Sequence, residues 1–186
     1  RMQLRCEIEA QILKVKETGL PLSHIDGHLN IQMHPTVFML LTELMPLHGI
    51  TSFRITRERL LENLRLDRTR MVGKTLERAI FGTLANFAES AFERQEIETA
   101  VEVKGVLNSG CMTEAYLLAM LERLQPGRSE IYFHPGMLPD AEITRRMPEY
   151  KHQEELAALL SPKVRERLQQ LDITLTNYRG ESKPYV

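Results

Sequence analysis

Strands alternating with helices predict an α/β fold built around a mainly parallel sheet. Three observations lead there. Apolar residues recur at helical spacing through most of the chain. Short β-branched runs interrupt them near residues 50–56, 100–107, 129–134 and 172–176. A further helical stretch follows most of these runs, and parallel strands require such crossovers, which are right-handed. Four or five strands are too few for a closed eight-stranded barrel of about 250 residues. The chain also opens on a helix with no strand before it, so earlier units are expected upstream of Arg1.

Taken in order, Leu4, Ile8, Ile12 and Val15 fall at helical intervals among charges, predicting a helix over 2–18 that Gly19 and Pro21 end. Residues 22–33 are a mixed polar and apolar stretch. Pro35 suits a first helical position, and Val37, Phe38, Leu40, Leu41 and Leu44 continue as a buried helix to Gly49. Residues 50–56 alternate as a strand. Residues 57–94 read as mostly helical, with Arg65, Arg68, Arg70 and Lys74 on a solvated face and an apolar stripe after them. A strand over 100–107 runs into Asn108-Ser109-Gly110, a helix over 113–124 is closed by Pro126-Gly127, and a strand over 129–134 meets Pro135-Gly136. Ser161 and Pro162 are a cap and first-turn pair opening a helix to residue 171. Residues 172–176 read as a last strand. One α/β domain over 1–178 and a flexible tail over 179–186 are expected.

Composition sets limits on function. The chain has 186 residues with 24 Lys+Arg, 25 Asp+Glu and a formal net charge of -1. Without an excess of cations it lacks the electrostatic basis for general nucleic-acid binding. No apolar run reaches the ~18 residues that a membrane span needs. Cys6 and Cys111 have no metal-binding spacing and read as free thiols, small and buried, in a reducing cytoplasm.

The most unusual stretch is 23–35, Ser-His-Ile-Asp-Gly-His-Leu-Asn-Ile-Gln-Met-His-Pro. At strand period His24, Asp26, His28, Asn30, Gln32 and His34 share one face, and Ile25, Gly27, Leu29, Ile31 and Met33 the other. A polar strand face suits a cavity at the carboxyl ends of parallel strands, where imidazole and carboxylate can bind a metal or move protons. An exposed edge strand alternates in the same way, and spacing alone does not say which histidine binds. His34 and His48 read as helix-entry and surface residues. His134, held by Pro135 and Gly136 at a strand end, is a candidate acid or base. Arg54 could meet an anionic or hydroxylated substrate or form a structural ion pair. No nucleophile elbow, phosphate-binding loop or dinucleotide fingerprint is present.

His24-Ile25-Asp26-Gly27-His28 with His34-Pro35, then Phe53-Arg54-Ile55, Ser109-Gly110 and residues 130–136, resemble in order the YdjC-like carbohydrate deacetylases. Residues 7–12, 18–30 and 154–168 are most similar to the hopanoid-biosynthesis-associated branch. The resemblance implies an incomplete, helix-rich (βα) barrel of the glycoside hydrolase/deacetylase type. It also implies a divalent-metal-dependent enzyme, with magnesium ahead of zinc, that removes an acetyl group from an N-acetylated amino sugar. In the family an aspartate of an N-terminal Asp-Asp motif, an early-strand histidine and the histidine closing His-x-Asp-x-His hold the metal. Only the last has a counterpart here, His28, and the other two would lie upstream of Arg1. Where the family often carries further histidines this chain has Asn30 and Gln32, whose amides suit hydrogen bonding to substrate rather than proton relay.

The resemblance thus implies His28 on the metal, Asp26 and His134 as the catalytic pair, and His24, Asn30 and Arg54 toward the substrate. That substrate would be an amino sugar or glycolipid, hopanoid-linked if the branch holds, and a homodimer is an open possibility. These 186 residues alone are expected to bind metal poorly and turn over little. The competing reading is a non-catalytic α/β module that grips a glycan or a partner. A third, a metal-dependent phosphoesterase or glycosidase, is disfavoured by the scarcity of Asp and Glu at strand ends.

Overall fold

A computed structural model of the chain describes residues 1–92, 97, 99, 102–137 and 141–182. It divides into two compact units, one of Arg1–Thr56 with Ala79–Ala100, the other of Arg57–Arg78 with Val101–Val186. Each holds a two-stranded parallel sheet.

In the first unit α1 (Met2–Lys16) is followed by β1 (His24–Ile25), a 3₁₀ segment (His28–Met33), α2 (Pro35–His48) and β2 (Ser52–Phe53). Strand β1 pairs parallel with β2, His24 opposite Ser52 and Ile25 opposite Phe53. Helix α2 starts where expected, because Pro35 already holds a helical φ and the His34 Nδ1 accepts from the Thr36 N–H at 3.3 Å. It ends at Gly49, whose φ of 70° is the left-handed stop that glycine adopts without steric cost. Phe38 of α2 is fully buried and meets Phe53, Phe87 and Phe92 at ring separations of 5.5, 5.5 and 5.0 Å. These aromatic contacts, with Leu41, Leu44 and Met45, make the core that fixes both strands.

In the second unit α3 (Leu60–Leu66) leads to α4 (Met71–Phe92), whose residues 79–92 belong to the first unit. Then come β3 (Glu102–Lys104), α5 (Glu114–Leu121), β4 (Ser129–Ile131), α6 (Ala141–Arg146), α7 (His152–Leu160) and α8 (Pro162–Gln170). Strand β3 pairs parallel with β4, Val103 opposite Glu130. Met112 and Leu117, Met120 and Leu121 of α5 pack with Ala158 and Val164 of α7 and α8. Ser161 caps α8 as expected, accepting from the Val164 N–H at 3.4 Å. No helix among the described residues is long and apolar enough to cross a membrane.

Several expectations are corrected. Only His24 and Ile25 of the polar row are strand, and residues 28–33 coil into 3₁₀ turns, with Leu29 and Asn30 both left-handed at φ of 54° and 56°. The period-2 reading therefore fails: Leu29 and Ile31 are exposed whereas Gln32 is buried. Residues 172–176 form no strand; Asp172 is left-handed, and Thr176 makes only an isolated bridge to Ser182. Lys74 is not solvated but 1% exposed. His48 is not a surface residue: its side chain is 9% exposed and faces Glu9 of α1 at 3.4 Å. Cys6 is exposed rather than buried. The expected strand start at Ala100 and Val101, the helix end at Glu93 and Arg94, and the tail's last four residues lie outside the described residues.

Candidate functional site

The sequence-derived candidates leave the carboxyl ends of the parallel strands, in two groups, one per unit. In the first unit Asp26 follows β1 and Arg54 follows β2. Parallel pairing puts the two strand ends side by side, and the Arg54 Nη1 meets the Asp26 Oδ2 at 2.8 Å. Arg54 is mostly buried, whereas Asp26 keeps nearly half its side chain in solvent. The loop beneath is built by Gln32. Its Oε1 accepts from the Gly27 N–H at 3.0 Å, and its Nε2 donates to the Arg54 carbonyl and the Thr56 Oγ1 at 3.2 and 3.3 Å. The Thr56 hydroxyl donates in turn to the Asn30 Oδ1 at 2.8 Å.

Gln32 is thus a buried clip between the two strand ends, not the substrate-facing amide expected. Gly27 is required beneath it, since a Cβ there would lie 2.9 Å from the Gln32 Oε1. His24 is half-buried with its Nδ1 2.9 Å from the Ser23 Oγ, Asn30 is half-buried, and His28 is exposed.

In the second unit the loops after β3 and β4 carry Asn108, Ser109 and His134. Glu58 organises the first loop by accepting from the Val106 and Leu107 N–H groups, both at 2.9 Å. Burial pushes the Glu58 carboxyl above its usual range, although Leu107, Asn63, Lys104 and Val106 all oppose that shift. The Lys74 ammonium donates to the Asn108 Oδ1 and the Asp67 Oδ2 at 2.8 and 2.7 Å, satisfying a buried charge. The Ser109 Oγ lies 3.0 Å from the Tyr150 hydroxyl.

His134 sits in a run of rings, 5.4 Å from Tyr132 and 5.2 Å from Tyr150, with Tyr150 5.5 Å from His152. Its backbone is held from α7: the Glu155 Oε2 accepts from the His134 N–H, and the His152 Nδ1 donates to the His134 carbonyl at 2.5 Å. Burial pushes the Cys111 thiol up, Glu155 and Asp67 add to that, and Lys151 and Arg70 oppose it.

Of the residues the sequence singled out, Asp26 and Arg54 meet at one pair of strand ends and His134 lies beyond the other; Tyr150, His152, Glu155 and Glu58, which stand around the second group, were not singled out. In α7 His152, Glu155 and Ala158 are buried, whereas Leu159 and Leu160 are exposed. The two buried polar side chains find their partners in the loops after β3 and β4.

Among the described residues no three His, Cys, Asp or Glu side chains stand together as a set that could hold a metal ion. His28 is exposed and the Asp26 carboxylate is engaged by Arg54, so these residues do not by themselves form a metal site.

The family model for YdjC-like proteins matches residues 1–170. A carbohydrate deacetylase of Thermoanaerobacter pseudethanolicus is 24% identical over 176 residues, covering 95% of this chain and 59% of its own. A crystal structure from Enterococcus faecalis V583, of a protein whose name proposes cellobiose-phosphate cleavage, has a similar fold. Its TM-score is 0.65 at 19% identity, with 94% of this chain and 59% of that chain covered. The chain therefore spans about three fifths of the length of each.

Proposed function

The chain belongs to the YdjC-like protein family, and from that premise we propose that it takes part in removing an acetyl group from an N-acetylated amino sugar. The observation that carries the reading is where its polar side chains stand. Asp26, Arg54, Ser109 and His134 all follow the carboxyl ends of parallel strands, the position at which βα folds present their chemistry.

In this reading His134 donates a proton to the departing amine, because an imidazole at a strand end can carry a proton near neutral pH. Asp26, fixed by Arg54, orients groups beside it, and His24, Asn30 and Arg54 face the sugar. A divalent cation, magnesium or zinc, belongs to the same reading. His28 is the residue of this chain that the family resemblance assigns to it. An incomplete, helix-rich (βα) barrel is the fold this reading expects. A hopanoid-linked substrate, a cytoplasmic setting and a homodimer complete the reading.

The test is acetate release from N,N′-diacetylchitobiose by the native gene product. We expect release that a chelator abolishes, that magnesium or zinc restores, and that His28→Ala and His134→Ala each suppress. Release that survives chelation overturns the metal requirement. Sugar binding with no release favours the glycan-binding module instead.

A further inference from the structure

From the geometry of α7 we infer that Glu155 is a positioning residue for His134, an inference that rests on His134 acting in the reaction proposed above. Glu155 has no exposed surface. Its Oε1 accepts from the Met112 N–H at 3.0 Å, at the end of the loop that follows β3, and its Oε2 accepts from the His134 N–H, after β4. One carboxyl group therefore ties together the two loops that leave this parallel sheet. His152, one helical turn earlier, takes the His134 carbonyl, so α7 holds residue 134 by both its backbone N–H and its C=O. The Gly136 N–H donates back to the His152 carbonyl at 3.2 Å. A Cβ on Gly136 would lie 3.2 Å from the His152 Cβ, which keeps the turn close against the helix.

The clamped backbone sets where the His134 side chain starts, and its ring stands between Tyr132 and Tyr150. Glu155 does this from beneath the loop, through the backbone rather than through the imidazole. Glu155 and His152 face inward to reach the loops, and Leu159 and Leu160 stay outside.

The substitution that tests this is Glu155→Gln, which keeps the shape but leaves one oxygen to accept and turns an NH₂ group toward the second N–H donor. In NMR spectra of the 186-residue chain the amide protons of Met112 and His134 should move upfield in the variant. In the native gene product kcat should fall by about 10²-fold with KM unchanged, as expected when a reacting group is misplaced by about 1 Å. The limb of the pH profile that His134→Ala removes should also move.

Unchanged amide shifts, or an unchanged kcat and pH profile in Glu155→Gln while His134→Ala is inactive, overturn the positioning role and leave the reaction assignment standing. Full activity in His134→Ala overturns the reaction assignment, and the positioning role with it. If Glu155→Gln does not fold, the wild-type chain still decides. A scalar coupling across the hydrogen bond from the His134 amide nitrogen to the Glu155 Cδ is expected, and its absence refutes the clamp.

Discussion

At Gly110 the backbone holds φ at 78°, and a Cβ built there would lie 2.3 Å from the Tyr150 Cγ. Left-handed backbone and ring contact both select glycine, for independent reasons. Gly110→Ala should lower stability by on the order of 2 kcal/mol and push Tyr150 off its contact with the Ser109 Oγ. Denaturant unfolding together with the Tyr150 ring signals would show it, and a midpoint matching wild type would refute the packing described. The need for a glycine at this spot is not visible in the sequence, because Tyr150 comes forty residues later. At the other candidate loop Asp26 was legible as one of a row of polar residues and Arg54 as a polar residue within a short strand, whereas the strands end at Ile25 and Phe53, just before them. An ion pair was one of two readings open for Arg54, and the parallel register of β1 and β2 supplies Asp26 as its partner.

Among the elements, the joint between α3 and α4 gives a pH-dependent prediction. Asp67 is partly buried, which alone would raise its carboxyl. The bonds from Lys74 and from the Thr69 hydroxyl and N–H, with the Lys74 charge, outweigh burial and hold it below its ordinary value. A carboxyl lowered on folding adds stability above its unfolded pKa of about 3.9 and loses it as pH falls through the folded value. Asp67→Asn should therefore destabilise the protein at neutral pH and flatten the acid limb of its stability profile below about pH 4. A variant whose stability falls with acid as steeply as wild type would sink this account. Helix ends were the most legible part of the elements, since Pro35, Gly49 and Ser161 act within one turn of the chain. The strands were legible as existing but not in length, because a strand ends where its partner's hydrogen bonds end. The row from His24 to His34 shows this: two residues pair with β2, and the rest coil around the buried Gln32.

At the scale of the whole molecule neither unit is a continuous stretch of chain, and α4 contributes residues 71–78 to one and 79–92 to the other. A proline at the middle of that helix removes one hydrogen bond and clashes with the preceding turn, at a cost of about 3 kcal/mol. Ala79→Pro should lower amide hydrogen-exchange protection around Phe38, in the core that Ala85, Ala88 and Phe92 of α4 join. Unchanged protection there would show that α4 does not support that core. By itself the sequence determined the alternation of helix and strand, the helix ends, and the family to which the His-x-Asp-x-His element and the 130–136 turn point. Those depend on local spacing, capping and motif. Only the tertiary structure decided that Gln32 is a clip, that Asp26 pairs with Arg54, that Lys74 is buried, and that α7 turns Glu155 and His152 inward onto His134. Each of these rests on groups distant in sequence that burial brings within hydrogen-bonding range. A polar side chain removed from water must find a partner, and only the folded arrangement of neighbouring strand ends and helices supplies it.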